Sequence, residues 1–491
     1  MTIPKISTRS LDTVQHSRRV AESINNILSF EADDSRRLTE AEKLAGVTPT
    51  NYAYPPRDIR RYGATEDSAD NTAALQRALD VGIGIYIPPG TFTYSSTIYY
   101  RAASQTISGE EGSILVYTGA AIGISMDGNF FCILRNVQVR APSASAAVYL
   151  GYIAHFAKVV GCDIRGSSTG ALSSGDVSLG VGVFVERSYY CEVSGNDISW
   201  FASGIFGADE CNGNFFYSNS VRGCFRGIYI TDTTRNSDGC QIILNEIEGG
   251  ASGAINGIDI QGSSNMMVAH NRIEYSPNGV AHIVVHDGDN DAVRHSLWDN
   301  HCVGSIPSII IGDDSGSARL SANSIRGGWY SGDITIGVDA DYTEIDIASS
   351  RYIGGGTGNV ETNLINNSVT SIISILEDQP TTLTLTGCTT SPTGDITWSL
   401  NKGIVTLYLP TTQGTSNSTA ATLGTLPSLI SPTATRNQLW RLTDNSVAVL
   451  GLISISTAGV ITLSNVPAGG SAMTNGGTKG VLSGSLTYPI Y

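Results

Sequence analysis

From Cys191 to Gly327 the chain repeats a short triplet: asparagine, a free position, then an apolar residue. Asn196-Asp197-Ile198 is followed by Asn219-Ser220-Val221, Asn245-Glu246-Ile247, Asn271-Arg272-Ile273, Asn300-His301-Cys302 and Asn323-Ser324-Ile325. The apolar members are spaced by 23, 26, 26, 29 and 23 residues. Three positions ahead of each asparagine stands another apolar residue: Val193, Phe216, Ile242, Val268, Leu297 and Leu320. The residue just before that one varies freely, from Glu192 and Phe215 to Arg319. Positions that hold their type beside positions that do not are the mark of a strand with one buried face.

A second set of short apolar strands lies inside the same repeats: Gly182 to Val185, Gly204 to Phe206, Gly227 to Ile230, Gly257 to Ile260, Ile283 to Val285 and Ile309 to Ile311. Several short strands with polar corners in about two dozen residues make one coil of a solenoid, and a parallel β-helix has this period. The leucine-rich repeat shares the period, but its leucine pattern and helix are missing. The recurrent asparagines are expected to stack at one corner, each amide bonded to the next coil.

Helical spacing occurs in two places. Val14, Val20, Ile24, Ile27 and Leu28 give a helical pattern over residues 10–45, with a second short helix from Thr39 whose capping box ends on Glu42. Asp70 is a helix N-cap, and Ala74, Leu75, Ala78 and Leu79 line one face of the helix that follows. Such a helix laid over an open solenoid end covers its apolar residues and unpaired strand edge. Tyr52 to Pro56 reads as an extended linker. Beyond Leu364 the asparagine signature stops. Asp395 to Leu409 reads as two alternating strands about an Asn401-Lys402-Gly403 turn, opening a separate all-β domain, a sandwich in outline. Its first reading is a trimerisation cap. Its second is a carbohydrate module with Trp398, Tyr408 and Trp440 as stacking platforms, unless those rings are core.

Composition narrows the partners. The 491 residues include 55 glycines and only 15% charged residues, with a net charge of −15. That balance disfavours nucleic acid and anionic membranes, and an acidic polysaccharide has to be held by local Arg and His. No signal-peptide pattern and no run of eighteen apolar residues occurs. The eight cysteines form no C-x-x-C pair and are expected as free, buried thiols made in a reducing cytosol. No cofactor and no metal is expected.

Arg61-Tyr62-Gly63-Ala64, the Asp70 to Leu79 helix and Ile87-Pro88-Pro89-Gly90-Thr91 resemble the N-terminal cap of pectate-lyase-like β-helix proteins. Asn51 to Pro56 leading into Arg60-Arg61-Tyr62-Gly63 is similar to bacteriophage tailspikes in particular. The resemblance covers about forty residues and speaks for fold, since fold does not settle function. It implies a homotrimeric phage tail protein, assembled in the host cytoplasm, that binds and depolymerises a bacterial capsule or O-antigen. Attachment to the tail or an adaptor is then expected through the N-terminal segment. The fold expected is all-β: a helical N-terminal segment over 1–50, linker and cap over 51–100, a parallel β-helix over 101–365 and a β-sandwich-like domain over 366–491. Its right hand follows from the resemblance and from the handedness of parallel crossovers.

The repeat register then picks out the chemistry. On the strand after the asparagine corner the outward side chains are, coil by coil, Asp163 and Arg165, Asp197 and Ser199, Ser220 and Arg222, Glu246 and Glu248, Arg272 and Glu274, His301 and Val303, Ser324 and Arg326. Neighbouring coils are about 4.8 Å apart and i,i+2 residues about 6.5 Å apart. Glu246, Glu248 and Glu274 therefore converge as candidate catalytic acids, with Asp197, Trp200, Arg222, Arg272, Tyr275 and His301 as candidate sugar contacts. Glycoside hydrolysis needs one protonated and one ionised carboxyl, and crowded carboxylates push one another's pKa up. The alternative is a solvated face in which Glu248 and Arg222, or Glu246 and Arg272, merely pair. A lyase would use Arg222, Arg272, His270 and His301 on a uronic acid. An adhesin would grip the glycan without cleaving it. His282, His286, Asp287, Asp289 and Asp291 lie on a corner and loop; metal binding is the alternative there, but their spacing is of no known metal-site type and they read as a polar solvent corner. Glu186, Asp209, Glu210, Asp232 and Asp259 are acids available to a site between subunits.

Overall fold

A computed structural model of the chain describes residues 54–82, 84–167, 180–232, 237–249, 255–274, 279–286, 292–304, 306–312, 323–337, 343–352, 364–366, 372–401, 403–465 and 472–490, with a few isolated positions besides. The helical pattern over 10–45 lies outside them apart from Glu42 and Leu44. The chain divides into two compact units, Met1–Gly170 with Val177–Phe201, and Ala171–Asp176 with Ala202–Tyr491.

The first unit opens with the cap. Helix α1, Thr72–Val81, buries Ala74, Leu75, Ala78 and Leu79, the face its spacing predicts. Its N-cap is Asn71, one residue later than expected. Asp70 still serves the helix: its carboxylate accepts from the Thr72 backbone N–H at 2.9 Å and the Thr72 hydroxyl at 2.5 Å. It also accepts from the Ser95 hydroxyl, at 2.7 Å, tying the helix to the first coils. These bonds, those of Thr72 foremost, hold the Asp70 carboxyl down at about 2. Within the cap Arg61 and Glu42 form a buried ion pair at 2.8 Å.

Both units are then wound on one plan, a parallel β-solenoid. In the first unit Ile133–Arg135 pairs with Lys158–Val160, and that strand with Glu192–Ser194. Across the corner Gln138–Arg140 pairs with Asp163–Arg165, and that with Asp197–Ser199. A second sheet stacks Ile122–Ser125, Ala146–Leu150 and Val181–Glu186. The second unit repeats this through Phe215–Tyr217, Gln241–Ile243, Met267–Ala269 and Ser296–Trp298 before the corner. Ser220–Arg222, Glu246–Glu248, Arg272–Glu274 and His301–Val303 follow it. The middle residue of each three-residue strand points inward, so Ile242, Ile247, Val268, Ile273, Leu297 and Cys302 are all fully buried.

The corner works by a fixed backbone device. The residue before each ladder asparagine adopts positive φ: Ser218 at 55°, Leu244 at 58°, His270 at 55° and Asp299 at 47°. A single left-handed residue turns one strand into the next, at a steric cost to any side chain. The buried asparagines offset that cost. Asn245 donates to the Phe216 carbonyl and to Asn271 Oδ1, both at 2.9 Å, while Asn271 Oδ1 also accepts the Asn245 backbone N–H. Asn219 and Asn271 repeat the pattern onto Asn245 and Asn300. Every amide so used satisfies a corner that would otherwise bury unpaired backbone groups.

One coil departs from the expected register. Ser324 and Ile325 pair with Ser296 and Leu297, ahead of the corner, not with His301 and Cys302. The two strands of that coil have merged into one, Ser324–Tyr330, and Gly328 stands where the ladder asparagine would be. At φ 99° a Cβ there would lie 2.7 Å from the Asn300 carbonyl oxygen, so the corner closes on glycine instead. Asn323 thus leaves the corner stack, and Ser324 and Arg326 leave the outward column, to which the repeat assigned them.

Parallel pairing ends inside a single strand. Ile372–Thr384 continues the solenoid beside Glu344–Tyr352, then turns antiparallel against Thr393–Asn401. The predicted turn follows, with Gly403 at φ 77° before Ile404–Leu409. A six-stranded sheet packs beyond. Trp398 is fully buried and donates to Thr381, and Trp440 is buried and donates to the Leu482 carbonyl. Of the three rings considered as platforms only Tyr408 is exposed. All eight cysteines are buried, and none is in a disulfide.

Candidate functional site

The second unit brings the three glutamates together around one cation. Glu246 and Arg272 are register partners on neighbouring coils, as are Glu248 and Glu274. The Arg272 guanidinium lies 2.8 Å from Glu246, 2.7 Å from Glu274 and 3.5 Å from Glu248. The carboxylates are 52%, 50% and 43% exposed, open enough for a ligand to reach them from solvent. One guanidinium thus faces all three carboxyl groups. The cluster is therefore an ion-paired set rather than three bare acids in contact.

Its neighbours come from the same register. Arg222 stands beside Glu248, and His301 beside Arg272. His301 stacks on Trp329 with ring centroids 4.8 Å apart and planes 21° apart. Burial, and then the charge of Arg272, lower the His301 pKa, so its imidazole is neutral at pH 7. Trp329 was not foreseen, because the merged strand Ser324–Tyr330 brings it into that column. Tyr275 lies outside the described residues.

Asp197 and Trp200 belong to the first unit. Asp197 is half-buried beside Asp163, and Trp200 is 41% exposed with φ 67°. Asp163 is bound by Arg165 at 2.7 Å and lines a polar cleft of about 290 Å³ with Glu110, Glu111 and Gln138. The histidines read as a polar corner are placed otherwise. His282 and His286 lie on the strand Ala281–His286, and His282 is fully buried against the Val303 and Pro307 carbonyls. The strand runs past Ile283–Val285 at both ends and so takes in both histidines. Among the described residues no three His, Cys, Asp or Glu side chains form a metal-holding group. No described helix is long and apolar enough to cross a membrane.

Residues 122–297 match the model of the right handed beta helix region. The fold is a right-handed β-helix. No curated protein matches this β-helix chain by sequence. Among solved structures it is similar to the enzymatically active domain of tailspike protein 2 of bacteriophage CBA120, at 13% identity, 88% of this chain, 70% of that one and a TM-score of 0.48. The Dettilon tailspike protein is similar at 13% identity, 86% and 92% coverage and 0.43. The GH87 α-1,3-glucanase of Streptomyces thermodiastaticus is similar at 14% identity, 64% and 67% coverage and 0.48.

Proposed function

We propose that this β-helix protein is a phage tailspike that binds and depolymerises a bacterial capsule or O-antigen by glycosidic hydrolysis. It acts as a homotrimer on the virion, attached to the tail or an adaptor by its N-terminal segment. The observation that carries the reading is the convergence of Glu246, Glu248 and Glu274, half-exposed, on Arg272. In the reaction one carboxyl gives its proton to the glycosidic oxygen as the bond to the anomeric carbon breaks. A second carboxylate either takes the proton of the attacking water or bonds the anomeric carbon itself. Glu248 and Glu274 are partners on adjacent coils and Glu246 and Glu248 lie on one strand, and the carboxyl separation of the working pair selects between the two routes. Arg272 holds the carboxylates in place until the sugar enters, and neutral His301 on Trp329 supplies a flat edge for a ring.

One observation favours a second reading, glycan binding without cleavage: Arg272 is bonded to all three carboxylates. Incubation of the purified protein with capsule and O-antigen from candidate hosts separates the possibilities. Shortened chains without new ultraviolet absorbance support hydrolysis, with Glu248→Gln or Glu274→Gln abolishing it. Shortened chains with the absorbance of a new double bond would move the chemistry to a lyase using Arg222, Arg272 and His301. Retention on a glycan without shortening would leave an adhesin.

A further inference from the structure

The second sheet of the second unit carries one residue out of keeping with its column. The outward position runs Phe206, Tyr229, Asp259, Val284 and Ile310 through five paired strands. A carboxylate in an apolar column has to be desolvated, and an apolar residue there would cost less. Asp259 is only 3% exposed, and three side chains from three coils are drawn to it. Arg226 Nε and Asn256 Nδ2 donate to Oδ2, each at 2.8 Å, and His286 Nε2 lies 2.9 Å from Oδ1. Burial favours the neutral acid, but the bond and charge of His286 with the charge of Arg226 outweigh it, and Asp259 stays ionised.

What the carboxylate orients is nearer the surface. Arg226 is 26% exposed and lies over the Tyr229 ring, 4.5 Å from its centroid. His286 is 20% exposed. Phe206 stacks on Tyr229 at 5.1 Å, adding apolar surface beside the guanidinium. A buried carboxylate that fixes two basic side chains preorganises them, as an outer partner orients a ligating histidine.

We propose that Arg226 and His286, held by Asp259, form a binding subsite for the carboxylate of an acidic sugar, on a face apart from the glutamate cluster. Arg226 pairs with the carboxylate, His286 bonds the anionic group or a neighbouring hydroxyl, and Tyr229 with Phe206 meets the sugar's C–H surface. The choice of a sugar as ligand rests on the reading of the chain as a polysaccharide-acting protein.

The test is equilibrium binding of oligogalacturonate and hyaluronan tetrasaccharides to the full chain, with neutral maltotetraose as the comparison. An acidic tetrasaccharide should bind in a salt-sensitive manner, and Arg226→Gln and His286→Gln should each weaken it about tenfold, the scale of one charge-assisted contact. Each change removes a partner of buried Asp259 and should lower the melting temperature, so binding is read well below the melt of each variant, and Arg226→Lys should restore part of the binding. No binding of either acidic probe, or equal binding by wild type and both variants, overturns the subsite. Cleavage of a host glycan with no acidic-probe binding would sink the subsite and leave the depolymerase reading standing. Probe binding lost in both variants, with no glycan ever shortened, would do the reverse.

Discussion

His295 should make this protein acid-sensitive, by an amount that can be worked out. It occupies the position just before a first-sheet strand, in the column of Cys240, Met266 and Asn323. It is fully buried. Burial lowers its pKa to about 4, the Ser263 backbone offsetting this only in part. An unfolded histidine titrates near 6.5, so on acidification the unfolded chain takes up the proton first. Stability tied to this group is therefore whole above about pH 6.5 and drains away as the pH falls toward 4. The difference is worth roughly 3 kcal/mol at about 1.4 kcal/mol per unit, of which about 2 kcal/mol is already lost at pH 5. His295→Met copies the residue of the preceding coil and removes the titration. Urea denaturation at half-unit steps from pH 7.5 to 4 should give the variant a flatter profile by about 3 kcal/mol. Parallel profiles for variant and wild type would refute the argument.

Other perturbations test the corner and the core. Asn271→Ala removes a side chain that joins three coils and strands the Asn245 backbone N–H, which should cost about 2–4 kcal/mol by denaturant titration. Leu244→Gly should do the opposite, because Leu244 holds φ 58° with 58% of its surface exposed. Relief of the left-handed backbone should exceed the little burial lost and stabilise by about 1 kcal/mol, read from the same titration. Burial pushes the Cys132 and Cys162 thiols up to about 11 and Cys302 higher still. A thiol reagent at pH 8 should therefore react with these cysteines only after denaturant is added, which mass spectrometry can follow.

The coil repeat was legible because burial imposes a type on every inward position, whatever the neighbours are. Ile247, Ile273 and Cys302 share only that constraint, and it was enough to place Glu246, Glu248, Arg272 and Glu274 side by side. The same reasoning failed at Asn323. An asparagine, a free position and an apolar residue also describe the stretch before the corner, where Asn323 replaces His295, so the triplet alone does not say which strand it heads. Only the pairing of Ser324 with Ser296 decides it. Side-chain reach was illegible for another reason. Register fixes where Cα atoms lie to within a strand spacing, but Arg272 spans more than that and gathers all three carboxylates, including one two residues along its own strand. The state of Asp259 lay further still from the sequence, since its burial depends on Arg226 and His286, 33 and 27 residues away. A solenoid thus yields its backbone to one-dimensional reading, because each coil answers mainly to its neighbours. Charge is the exception: a long basic side chain answers to any acid within its reach, on whichever coil that acid lies.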